Sequence, residues 1–130
     1  MDLYRQDILD HYKHPHNFGR IPNAHATTTL FNSACGDKIT MDVQISHDNN
    51  TISNVRFSGE GCAISQASAS LLTDHIKGMT KSKVLSLNKN SVLALLKTQL
   101  TPTRIKCALL PLEVMQKCIL QLEEKKVSVV

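Results

Sequence analysis

The feature that most constrains this chain is a change of period across Gly59-Glu60-Gly61-Cys62-Ala63. Before it, apolar residues recur at every second position; after it, they recur every three or four. Over residues 38–46 the alternation is strict, with Ile39, Met41, Val43 and Ile45 on one face, the pattern of a half-buried strand. Residues 27–31 are rich in β-branched side chains and read as a strand. Residues 51–58 return with Ile52, Val55 and Phe57 after the turn-forming run His47-Asp48-Asn49-Asn50. Strands joined by such short links predict an antiparallel meander covered on one face.

Beyond the change, Ile64, Ala67, Leu71, Leu72 and Ile76 form a helical stripe, and Gly78 suits the position just past its end. Two short helices are expected over residues 82–87 and 91–97, separated by Asn88-Lys89-Asn90. A last helix is expected to follow Cys107, carrying Leu112, Met115, Ile119 and Leu122, with Pro111 in its first turn. At the other end, residues 2–13 read as a helix capped by Asp2, with Tyr4, Ile8 and Tyr12 as its stripe and His14-Pro15 as its stop. Residues 15–25 read as loop. The fold class expected is therefore α+β: a three-stranded antiparallel sheet packed against a helical layer, with an N-terminal helix. The length of 130 residues fits a single domain spanning 1–130, with residues 125–130 expected to fray.

The charge balance, 15 basic against 11 acidic residues, is uneven along the chain. No acidic residue lies between Asp74 and Glu113, whereas Lys77, Lys81, Lys83, Lys89, Lys97, Arg104 and Lys106 all do. This stretch reads either as exposed helix faces or as a docking surface for an acidic protein. Aromatics at 4% and the absence of Trp argue against nucleic acid held by base stacking. No apolar run is long enough to span a bilayer, and the start lacks the pattern of a secretory signal, so no membrane role is expected. Cysteines kept as thiols point to the cytoplasm.

The four cysteines, at 35, 62, 107 and 118, are too sparse for a disulfide framework, and no Cys-x-x-Cys pair occurs. Three have unusual surroundings. Cys35 precedes Gly36 and Asp37 in the turn between the first two strands, where a thiolate and a carboxylate two residues apart make a metal half-site. Cys62 follows two glycines at the strand-to-helix turn, and Cys107 is placed just before the last helix beside Arg104 and Lys106. A helix N-terminus favours thiolate at both. Cys118 falls mid-helix near Met115 and Leu122 and is read as core. His11, His14 and His16 cluster at the end of the first helix, but Pro15 breaks any one-face spacing, so helix-end and loop roles are expected there.

These contexts together resemble the U-type iron–sulfur cluster assembly scaffolds, the family of the IscU, SufU and NifU N-terminal proteins. Tyr4, Ile8, Asp10, His11, Tyr12, Pro15, Asn17 and Gly19 are similar to its N-terminal segment. Cys35-Gly36-Asp37, then Gly59 to Ser65 with Ala67-Ser68-Ala69-Ser70, then Arg104 to Ala108, resemble its three ligand motifs in order. The resemblance implies that Cys35, Asp37, Cys62 and Cys107 hold a transient [2Fe–2S] cluster, or Zn2+ at the same site. It implies a scaffold that accepts sulfur from a cysteine desulfurase, with Cys35 or Cys107 as the persulfide acceptor, and that passes the cluster to recipient or carrier proteins. The alternative is a zinc-dependent sulfurtransferase that activates the desulfurase. A carrier is favoured over an enzyme, as a monomer or a cluster-bridged dimer. Lys106 stands where the IscU type has His, as in the SufU type, yet the SufU insertion before the third motif is missing. Leu100-Thr101-Pro102-Thr103-Arg104 replaces the Leu-Pro-Pro-Val-Lys chaperone motif of the IscU type, and Ser33 stands where the family usually has Pro.

Overall fold

In the computed structural model the residues described are 3–33 and 36–128. The order of elements is α1 (Leu3–Lys13), β1 (Ala26–Asn32), β2 (Asp37–Ile45), β3 (Ile52–Glu60), α2 (Ala63–Ile76), α3 (Lys81–Ser86), α4 (Lys89–Leu96) and α5 (Pro102–Ser128). The strands form one antiparallel sheet in the order β1-β2-β3. The expected α+β architecture with its N-terminal helix is what the chain adopts.

The period-two pattern sets the core. Ile39, Met41 and Val43 of the central strand are fully buried, with Val55 and Phe57 of β3 on the same face. Helices α2 and α5 pack onto the sheet and against each other, contributing Ala67, Leu72, Ile76, Met115 and Ile119, all at 0–1% exposure. Helix α1 lies on α2. Of its expected stripe, Ile8 is buried but Tyr12 is 44% exposed. The Asp2 cap lies outside the described residues.

The outer face of the sheet is polar, yet it is not simply open to water. Asp42 is 1% exposed there. Arg20 Nε donates to it at 2.7 Å, the Ile21 N–H at 2.8 Å and the Thr27 hydroxyl at 2.7 Å. The segment after α1 also closes the free edge of β3. The Gly19 N–H donates to the Phe57 carbonyl at 2.8 Å, and the Phe57 N–H to the Asn17 carbonyl at 2.9 Å. An edge protected in this way cannot recruit a foreign strand. The two short helices start one or two residues earlier than expected, since Thr80 and Asn88 cap them. The Asn88 side chain accepts from the N–H groups of Asn90 and Ser91.

Helix α5 differs most from the sequence reading. It begins at Pro102 rather than after Cys107. Proline suits the first helical position, and the Thr101 hydroxyl accepts from the Arg104 N–H at 3.4 Å. Pro111 therefore lies inside the helix rather than in its first turn. It has no N–H to return to the carbonyl of Cys107, four residues back. The helix persists because β1, β2 and α2 cover it along this stretch. The Ser68 hydroxyl, from α2, donates to the Ala108 carbonyl at 2.6 Å.

Candidate metal centre

The site forms where the sheet ends. Asp37 opens β2, and the Lys38–Glu60 pairing sets the start of that strand beside the end of β3. The chain then crosses Gly61 and Cys62 into α2. Two glycines permit the crossing. Gly59 has φ +140°, and a Cβ there would lie 1.9 Å from the Lys38 carbonyl oxygen, so backbone meets backbone. At Gly61 a Cβ would lie 2.6 Å from Asp37 Oδ1 and 2.5 Å from Ser65 Oγ. The space left by the missing side chain is filled by the carboxylate itself.

Asp37 is 1% exposed. Its Oδ1 accepts from the Cys62 N–H at 2.9 Å. This donor belongs to the N-cap residue of α2, at the helix end where positive dipole charge collects. The other oxygen faces the Cys62 sulfur at 3.8 Å. Ser65 is fully buried, and its hydroxyl donates to the Cys62 carbonyl at 3.1 Å, fixing the turn from below. Cys107 enters from α5. As the sixth residue of that helix it is 2% exposed, so it belongs to the interior and not to a helix end. Its neighbour Lys106 is exposed.

One ligand atom from each of Asp37, Cys62 and Cys107 lies within 4.8 Å of the others. Tetrahedral zinc with Zn–S near 2.3 Å and Zn–O near 2.1 Å separates neighbouring ligand atoms by about 3.5 Å. The Cys62–Asp37 distance already has this scale, and the whole triad needs to contract by about 1 Å. Two thiols and a carboxylate also suit zinc or iron as a donor set. Cys35, the fourth residue expected here, lies outside the described residues.

The remaining candidates separate from the site. Cys118 is fully buried against the Met41 carbonyl, and desolvation pushes its thiol up to about 11. It is core, as expected. His11 Nδ1 hydrogen-bonds with Ser70 Oγ at 2.7 Å, the His16 N–H donates to the same oxygen at 2.8 Å, and His16 pairs with Asp74. These histidines lash the segment after α1 to α2. Within the basic stretch, Lys83, Lys89, Lys97, Arg104 and Lys106 are exposed. Lys81 is not: it is 6% exposed and paired with Glu123 at 3.0 Å, so it belongs to no docking face. Among the described residues no helix is long and apolar enough to cross a membrane.

Ser65 and Ser68 stand in the sequence as part of the second motif, but nothing there assigns their hydroxyls a buried hydrogen-bonding role. Their signal was a helix with polar residues at almost every angle around its apolar stripe. Most of α2 is buried up to Thr73, so its hydroxyls must find partners inside.

Residues 3–129 match the family described as NifU-like N terminal domain. The chain is 36% identical, over 88% of each sequence, to the zinc-dependent sulfurtransferase SufU of Bacillus subtilis. It is 32% identical to the iron–sulfur cluster assembly scaffold protein IscU of Aquifex aeolicus, over 89% of this chain and 73% of that protein. The crystal structure of SufU from Fervidobacterium islandicum superposes with a TM-score of 0.74 at 29% identity, covering 88% of this chain and 94% of the other.

Proposed function

The chain belongs to the NifU-like N-terminal domain family of iron–sulfur cluster assembly scaffolds, and from that premise we propose that it receives sulfur from a cysteine desulfurase and builds a transient [2Fe–2S] cluster for transfer. One observation carries the reading: Asp37, Cys62 and Cys107, from three different elements, converge within 4.8 Å. We assign Cys35 to the same site as its third thiolate, with Cys35 or Cys107 taking the sulfur. In that step the thiolate attacks the outer sulfur of the desulfurase persulfide. The S–S bond breaks, the desulfurase thiolate leaves, and the attacking cysteine becomes a persulfide without any oxidant or reductant. The cluster is cargo, so a loose hold is useful. A carboxylate in place of a fourth thiolate supplies it. Recipients are apo-proteins or carriers, and the thiol chemistry suits a reducing compartment such as the cytoplasm.

A second reading, a zinc-dependent sulfurtransferase, has a specific observation behind it. Lys106 points to solvent beside an inward Cys107 and supplies no ligand, and the Bacillus subtilis relative is named for zinc-dependent sulfur transfer. Bound at this triad, zinc would hold the thiolates deprotonated.

Mass spectrometry after anaerobic incubation with a desulfurase and cysteine tests both readings. Persulfide on Cys35 or Cys107, followed by a visible charge-transfer band when iron is added, is the outcome expected of the scaffold. Persulfide without such a band selects the sulfurtransferase. No persulfide on any thiol excludes both.

A further inference from the structure

The first two turns of α2 bury three polar side chains behind Cys62: Ser65, Gln66 and Ser68, at 0, 7 and 2% exposure. Ser65 donates to the Cys62 carbonyl and Ser68 to the Ala108 carbonyl. Gln66 is different, because its carboxamide nitrogen is buried with no hydrogen-bond partner among the described residues. The Thr28 hydroxyl, also buried without one among the described residues, has the Cys118 thiol beside it in the core. Leaving a buried amide donor unpaired costs about 1–3 kcal/mol, so such a group calls for a reason.

Helix geometry indicates where the amide can act. Residues four apart share a helical face, and long side chains lean toward the helix N-terminus. The turn that Gln66 covers is therefore the one that carries Cys62. Among the described residues the Cys62 sulfur has long contacts, 3.8 Å to Asp37 and 3.9 Å to Ser65. A neutral thiol is a poor acceptor, whereas a thiolate, once formed by metal loading, attracts N–H donors and is tuned by them.

We infer that the Gln66 carboxamide is a positioning group held for the loaded site, donating N–H to the anionic sulfur of Cys62. The inference rests on the metal reading of Asp37, Cys62 and Cys107. It assigns Gln66 a cost in the empty protein and a gain in the loaded one. A packing role would have the opposite sign in the empty protein.

Gln66→Leu tests it, with Gln66→Met as a second variant whose flexible chain fills the same space. Two measurements are made on the full chain: the thermal midpoint without metal, and the sulfur-to-cobalt charge-transfer band with cobalt release to a chelator. The expected result is a midpoint at or above the wild type in the empty protein. With it should come a shifted charge-transfer band and release faster by about tenfold. An unchanged band and release rate in both variants would overturn the inference, as would a lower midpoint in both empty variants. A wild-type chain that takes up no cobalt would overturn the metal reading itself, and that is seen before any variant is compared.

Discussion

At the scale of single residues, Gly61 and Asp37 make one unit. A methyl group at Gly61 meets the carboxylate and the Ser65 hydroxyl at under 3 Å, and one of them must move. Gly61→Ala is therefore expected to weaken zinc binding by about tenfold or more, read by competition with a chromophoric chelator. Asp42 gives a contrasting carboxylate with no part in the site. Burial works to raise its pKa, but the hydrogen bonds from Arg20, the Ile21 N–H and Thr27 outweigh that and hold it below the ordinary range. A depressed folded-state pKa gives stability that is present above the unfolded value and lost as pH falls through the folded one. Asp42→Asn should thus lower stability at pH 7 by about 1–3 kcal/mol. It should also remove part of the loss seen on acidification below about pH 4, both measured by urea titration. Cys118, its thiol raised to about 11 by burial, should stay unalkylated by iodoacetamide at pH 8 in the native protein while the half-buried Cys62 reacts, as peptide mapping would show. Asp37 and Cys62 were readable from their glycine-flanked local contexts and Cys118 from its place near an apolar stripe, whereas Cys107, expected at a helix end, lies inside α5. The sequence could not show that Gly61 serves a carboxylate 24 positions earlier, since that contact depends on the pairing of β2 with β3.

At the scale of elements, the site depends on how α2 and α5 are fixed to each other. The Ser68–Ala108 bond joins them one residue past Cys107. Ser68→Ala should cost about 1 kcal/mol in the empty protein and reduce zinc affinity by more than that loss of stability accounts for, read in parallel melts and chelator titrations. The strands were legible within a residue or two, the central one from strict alternation and its neighbours from β-branched content and the turn run His47-Asp48-Asn49-Asn50. The start of α5 was not. The run from Thr101 to Lys106 resembles a loop in isolation; Pro102 at the first helical position and the Thr101 cap start the helix there, and its first turn stays exposed. Burial against β1, β2 and α2 explains why an internal Pro111 is tolerated. For α2 the stripe was visible, but its inward serines and Gln66 were not. Their partners lie on other elements or, for Gln66, wait on the loaded site.

At the scale of the whole molecule, the basic stretch lies in the half of the chain that follows the sheet and includes the residues flanking Cys107 on its N-terminal side. Lys83, Lys89 and Lys97 remain exposed with no acidic residue in the stretch, so a double change of Lys83→Glu with Lys89→Glu should weaken desulfurase docking most at low salt. Binding unchanged at low salt would remove this face from the interface. Lys81→Glu is no test of docking, because it would place a buried carboxylate against Glu123. The most direct measurement of the central claim is zinc K-edge X-ray absorption on the zinc-loaded chain. The account predicts about one zinc with three sulfur neighbours and one oxygen, with Cys107→Ser removing one sulfur and Asp37→Ala displacing the oxygen. A shell with fewer than two sulfurs, or one left unchanged by both substitutions, would contradict it.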